Sequence, residues 1–147
     1  MKAKSLKILL IEDNEAEVYQ LLDAIRSHNE SHEVNVLKDG VDVIRTLEEK
    51  RRNHGNNYPD LVILDLNLPV HSGRKLIGEI KNHDKLKSTP IIVLTSSDLE
   101  QDIKKAYQGK ISSYIVKPSG YEEFLRAIYS TLDFYSITQM PTNNYTR

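Results

Sequence analysis

Four apolar runs in this chain each lead into residues capable of polar chemistry. Ile8-Leu9-Leu10-Ile11 is followed by Glu12-Asp13, and Leu61-Val62-Ile63-Leu64 by Asp65. Ile91-Ile92-Val93-Leu94 is followed by Thr95-Ser96, and Tyr114-Ile115-Val116 by Lys117-Pro118. Singly, each of these has an ordinary explanation, since an acid after an apolar run is usually solvated or caps a helix. Gathered on one rim, two carboxylates about 5 Å apart repel by roughly 3 kcal/mol at an effective dielectric near 20. Such a cluster must protonate, bind a cation or pair with Lys117. Ligands that are all oxygen suit a hard ion, Mg²⁺ or Mn²⁺, that keeps some of its water. The chain has no cysteine and no histidine at these positions to favour zinc. Asp65 can then act as a nucleophile toward phosphorus, giving an aspartyl-phosphate. An ion held by Asp13 and Asp65 would bridge to the phosphoryl oxygens. Lys117 would neutralise a further oxygen, and the Thr95 hydroxyl would donate to another. Ser96 is small and leaves room for the donor to approach in line.

That chemistry requires the four runs to be neighbouring strands. Strands are expected at 6–11, 33–37, 61–65, 91–94 and 113–116, three of them nearly continuous Ile/Leu/Val. Such runs suit strands buried on both faces. Between them, apolar residues recur at helical spacing: Val18, Leu21, Leu22 and Ile25; Val41, Ile44 and Leu47; Leu76, Ile77 and Ile80; Phe124, Leu125, Ile128 and Leu132. Residues 98–107 form a weaker, more polar helix. Asn14-x-x-Glu17 and Ser97-x-x-Glu100 resemble capping boxes. Pro90 precedes a strand, where it costs no ladder bond, and residues 52–58 read as a surface loop. Strand alternating with helix implies an α/β fold, a parallel sheet with helices on both faces and right-handed crossovers. Ligands bind such sheets outside the carboxyl ends of the strands, which is where the polar residues stand.

Composition narrows the function. A chain of 147 residues suggests one domain. Its 20 basic and 21 acidic residues show no basic excess, so DNA is not an expected partner. Lys50-Arg51-Arg52 reads as a solvated helix end. The apolar runs are too short to cross a bilayer, the N-terminus lacks a secretory pattern, and the cytoplasm is the default location. Six of the eight tyrosines lie at or after Tyr107, and both phenylalanines are in the last helix. Tyr121, Tyr129, Phe134 and Tyr135 cannot all face a core already lined by Phe124, Leu125, Ile128 and Leu132. The surplus suggests a homodimer or partner surface, the alternative being that the C-terminal extension folds back and covers its own domain. His28, His32, His54, His71 and His83 show no ligand spacing.

The motifs Ile-Glu-Asp at 11–13, Leu-Asp-Leu-Asn-Leu-Pro at 64–69, Gly73, Leu-Thr-Ser at 94–96 and Tyr-Ile-Val-Lys-Pro at 114–118 carry a resemblance. The chain resembles the receiver domains of two-component response regulators, and among them most the phytochrome-associated single-domain type. The resemblance implies a flavodoxin-like receiver fold: a five-stranded parallel sheet of order 2-1-3-4-5 with five helices. It places a receiver domain at 1–136 and a tail at 137–147, with no output domain. It implies that Asp65 accepts a phosphoryl group from a sensor histidine kinase. Asp13 would bind Mg²⁺ directly, Glu12 through a water and Asn67 through its backbone carbonyl. Thr95 and Tyr114 would be switch residues, Lys117 would contact the phosphoryl group, and Lys117–Pro118 would be cis. The output would leave through helix four, strand five and helix five. Gly73 would permit a close backbone approach, and Asn67 and Ser97 would influence phosphate lifetime. The domain would catalyse its own phosphorylation and dephosphorylation and no other reaction. An aspartate-nucleophile phosphatase would want a second acid where Asn67 stands. A pseudo-receiver that only binds partners would not need Asp13, Asp65, Thr95 and Lys117 together.

Overall fold

The computed structural model describes residues 4–53, 58–66 and 73–138. Among these, five strands alternate with five helices. The strands are β1 (Lys7–Ile11), β2 (Glu33–Leu37), β3 (Leu61–Leu64), β4 (Ile91–Thr95) and β5 (Ser113–Val116). The helices are α1 (Glu15–His28), α2 (Gly40–Asn53), α3 (Gly73–Lys81), α4 (Glu100–Gln108) and α5 (Tyr121–Ile137). All pairings are parallel, in the order β2-β1-β3-β4-β5, as expected.

Alternation along the strands splits the core in two, because successive side chains point to opposite faces. Ile8, Leu10, Ile63 and Ile92 pack with α1 and α5 residues such as Leu21, Ile25 and Ile128. Leu9, Ile11, Val62 and Val93 pack on the other face with Val43, Leu76, Ile77 and Ala106 from α2, α3 and α4. The central strands β3 and β4 are buried throughout, while the edge strands β2 and β5 are half-buried.

The boundaries depart from the sequence pattern in a few places. In α2 Leu47 is buried and Ile44 packs against the core as expected, but Val43 is buried and Val41 exposed, so the stripe enters the core through Val43 in place of Val41. Asn14 does cap α1, its side chain accepting from the Glu17 N–H at 3.0 Å. Glu17 does not reach back to complete a capping box, because its carboxylate is drawn to Lys117. Helix α4 starts later than expected, with Leu99 at the N-cap and no side-chain cap. Ser97 is not that cap; its hydroxyl lies 2.6 Å from the Asp102 carboxylate. No cis peptide occurs among the described residues, so Lys117–Pro118 is trans, contrary to expectation. Trans is the intrinsic preference of an X–Pro bond. The expectations for Asn67, His54, His71 and residues 139–147 lie outside the described residues.

Candidate functional site

Register brings the polar residues together. Ile11 is level with Leu64 across the β1–β3 pair, so Glu12 and Asp65 leave adjacent strands at one height. Thr95 is level with Val116, so Lys117 emerges one step further on the outer strand. Main-chain bonds continue the ladder past the assigned strands: Glu12 N–H to Leu37 O at 3.1 Å, Asp65 N–H to Ile11 O at 3.1 Å, and Lys117 N–H to Thr95 O at 2.8 Å. The backbone under each reactive side chain is thereby fixed.

Lys117 stands at the centre. Its Nζ is 2.8 Å from Glu17 Oε1, 3.1 Å from Glu12 Oε1 and 3.7 Å from Asp65 Oδ2. Glu12 is buried, and its other oxygen accepts from the main-chain N–H groups of Asp13 and Asn14. Burial, then the neighbouring Asp65 charge, push the Glu12 carboxyl up to about 8, with Lys117 opposing. Burial also works against the Lys117 ammonium, but its bond to Glu17 and the charges of Asp65 and Glu12 outweigh this and raise its pKa.

Carboxylate oxygens of Glu12, Glu17 and Asp65 lie within 4.8 Å of one another. This all-oxygen set fits a divalent metal ion of the Mg²⁺ or Mn²⁺ type. Asp13 follows Glu12 but is exposed, outside this tight group. Glu17 is the site residue that sequence reasoning missed. Its signal was present, since it lies one turn into the helix that Asn14 caps and thus beside the end of β1.

Thr95 is fully buried, and its hydroxyl has no hydrogen-bond partner among the described residues. A buried hydroxyl left in this state is costly unless something else uses it. Tyr114 is half-buried against the α3/α4 side of the core, and its hydroxyl donates to Ser97 O at 2.9 Å. Gly73 meets the expectation of close approach. A Cβ there would lie 2.5 Å from Leu66 Cα and 3.0 Å from Asp65 O. Beside Lys117 a cleft of about 330 Å³ opens between α1 and the start of α5, lined by Glu17, Gln20, Ser96, Pro118, Tyr121 and Phe124.

A parallel sheet of this order, with acids, a lysine and a buried hydroxyl at its carboxyl rim, matches one family over most of the chain. Residues 8–129 match the response regulator receiver domain, and the chain belongs to that family of two-component signalling domains. Among its relatives is the response regulator Rcp1 of Synechocystis sp., 30% identical over 128 residues and matched over 87% of each chain. The crystal structure of the phosphorylated cyanobacterial phytochrome response regulator RcpA is similar with a TM-score of 0.85 at 31% identity, over 95% of this chain and 100% of that one. The Mn²⁺-bound form of Rcp1 gives a TM-score of 0.82 at 28% identity, over 93% and 99% of the two chains. No helix among the described residues is long and apolar enough to cross a membrane.

Proposed function

We propose that this protein is a cytoplasmic phosphorylation switch that takes a phosphoryl group from a sensor histidine kinase onto Asp65. The observation that supports this most is the meeting of Lys117 with Asp65 and Glu12, one strand away from an unpartnered, buried Thr95 hydroxyl. Glu12, Glu17 and Asp65, whose carboxylates the fold gathers, are the groups that would hold Mg²⁺, with Asp13 and the backbone carbonyl of Asn67 as the further ligands the family resemblance implies. The bound ion would neutralise charge on the transferring phosphoryl oxygens.

The chain's own residues perform the rest. An Asp65 carboxylate oxygen forms a bond to phosphorus as the phosphorus–nitrogen bond to the kinase imidazole breaks and the imidazole leaves. Lys117 exchanges a carboxylate partner for a phosphoryl oxygen, and the Thr95 hydroxyl donates to another. Attack by water later returns Asp65 to its free form. The likeness to Rcp1 and RcpA supports a phytochrome as the kinase.

Thr95 draws toward the phosphoryl group, Tyr114 follows, and the face formed by α4, β5 and α5 is remodelled. Tyr107, Val116 and Tyr121 are exposed on that face. Tyr121, Phe134 and Ile137 on α5 also offer apolar surface to a second copy. Light scattering with and without phosphorylation reads this, and a strict monomer in both states counts against the dimer.

Intact-protein mass spectrometry after incubation with acetyl phosphate tests the central step. One added phosphoryl group is expected, dependent on Mg²⁺ and absent in Asp65→Asn. No addition to the wild-type chain under any condition would leave a pseudo-receiver. Thr95→Ala should still be phosphorylated but lose the change on the α4-β5-α5 face. Normal partner binding by that variant would exclude Thr95 as the coupling residue.

A further inference from the structure

Three polar contacts at the far end of the sheet from Asp65 form a continuous chain. Leu6 and His32 immediately precede β1 and β2, so they stand at the amino ends of the strands. The Leu6 N–H donates to His32 Nδ1 at 2.9 Å. His32 Nε2 lies 2.9 Å from His28 Nδ1, and His28 Nε2 lies 2.7 Å from Asp133 Oδ1. The two imidazoles stack nearly parallel, with centroids 5.1 Å apart, and Tyr129 packs edge-on against His28.

A main-chain amide can only donate, which fixes every proton in the chain. His32 Nδ1 must be the acceptor, so its proton is on Nε2. That proton is donated to His28 Nδ1, which must therefore be bare. The His28 proton is then on Nε2 and is donated to the Asp133 carboxylate. All four ring nitrogens are used, and both rings are neutral. A further proton has two places to go. On His28 Nδ1 it would face the His32 N–H, and on His32 Nδ1 it would face the Leu6 N–H. Each sets two donors against one another and breaks a bond.

We propose that Leu6, His32, His28 and Asp133 form a pH-sensitive latch that fastens the start of β1 and the end of α1 to α5 and is released by protonation. The groups facing the two rings are the Leu6 amide from the lead-in to β1, and Asp133 and Tyr129 from α5. Asp133 is exposed, so solvent screens its attraction for an imidazolium. His32 is buried, and burial followed by the nearby His28 holds its pKa below the ordinary histidine value. The latch is accordingly closed near neutrality and opens on the acid side.

The released elements matter because of what they carry. Asp133 precedes the exposed Phe134 on α5, and one turn further the Ser136 carbonyl accepts from the Lys4 N–H at 3.1 Å. Opening the latch loosens the exposed side of this last stretch of α5, around Asp133 and Phe134, while Leu132 and Tyr135 stay in the core and the carboxyl rim of the sheet is untouched. The device is independent of phosphorylation.

Long-range ¹H–¹⁵N spectra of the intact chain, recorded from about pH 8 to about pH 5, read tautomer and charge at each ring. The expected result is the Nε2–H form of both His28 and His32 at the alkaline end, then protonation of His32 on the acid side. Through that step the hydrogen-exchange protection of the Leu6 amide should fall about ten-fold, as for loss of one hydrogen bond. An Nδ1–H form of His32, or Leu6 protection unchanged through the His32 step, would each overturn the latch.

Discussion

Lys117 serves three carboxylates at once, and the one it serves least closely is Asp65, at 3.7 Å. Glu12 is the most buried of them, and burial, then the Asp65 charge, raise its pKa to about 8 against the pull of Lys117, which favours a proton there. A divalent ion entering the group must displace that proton. Mg²⁺ affinity should therefore rise with pH until about pH 8 and then level off. Calorimetric titration in two buffers of different ionisation heat measures the protons released. Release near neutrality that vanishes in Glu12→Gln is expected; none in the wild type would show that Glu12 is already ionised. At this scale the sequence was most informative where a residue ends a strand. Glu12, Asp65, Thr95 and Lys117 were legible because register in a parallel sheet leaves little choice about where a strand end points. Glu17 was not, because Asn14-x-x-Glu17 also reads as a capping box, and only the folded chain shows the carboxylate preferring Lys117 over the Asn14 amide. The His28–His32 pair escaped for a related reason. A pair four residues apart at a helix end looks solvated until Leu6 and Asp133, remote in sequence, supply the missing partners.

Between elements, the closest fit is at the start of α3. Gly73 lies so near Leu66 and Asp65 that a single methyl group would have to move backbone. Overpacking of this kind costs about 1–3 kcal/mol. Gly73→Ala should lose that much in urea unfolding and, because the clash includes the Asp65 carbonyl, should also be phosphorylated more slowly. A variant as stable and as reactive as wild type would mean that α3 can retreat without cost. Helix starts give a contrasting pair. Asn14→Ala removes a side-chain cap and should cost about 1 kcal/mol, whereas Ser97→Ala removes no cap from α4 and should cost less. The α2 stripe shows why helices were harder to read than strands. Val41, Ile44 and Leu47 satisfy helical spacing as well as Val43 and Leu47 do, and the choice between them is made by the sheet face on which α2 lies.

For the whole molecule, two buried groups pull stability in opposite directions. The folded chain holds a proton on Glu12 that the unfolded chain loses between pH 4.5 and about 8, so without metal stability falls as pH rises through that window. His32 has the opposite sign. Its folded pKa is lowered, so below about 6.5 the unfolded chain takes up a proton that the native fold resists, and stability falls as pH drops. Above pH 6.5 only the first slope remains, and a metal-free thermal midpoint should decline toward pH 8. Saturating Mg²⁺ should abolish that decline, because it holds Glu12 ionised; a decline that persists in Mg²⁺ would assign the slope to another group.

The sheet order has a consequence for how the molecule is made. Glu12 and Lys117 are bonded across 105 positions of chain, and His28 and Asp133 across another 105. During synthesis from the amino end, β1, β3 and their acids emerge well before β5. Until residue 117 leaves the ribosome and docks, the acids of the rim lack their ammonium partner, and the far end of the sheet has no α5 to hold. A chain that stops short of β5 and α5 is thus both less stable and unable to answer a phosphate donor, so competence arrives only once those two elements have docked.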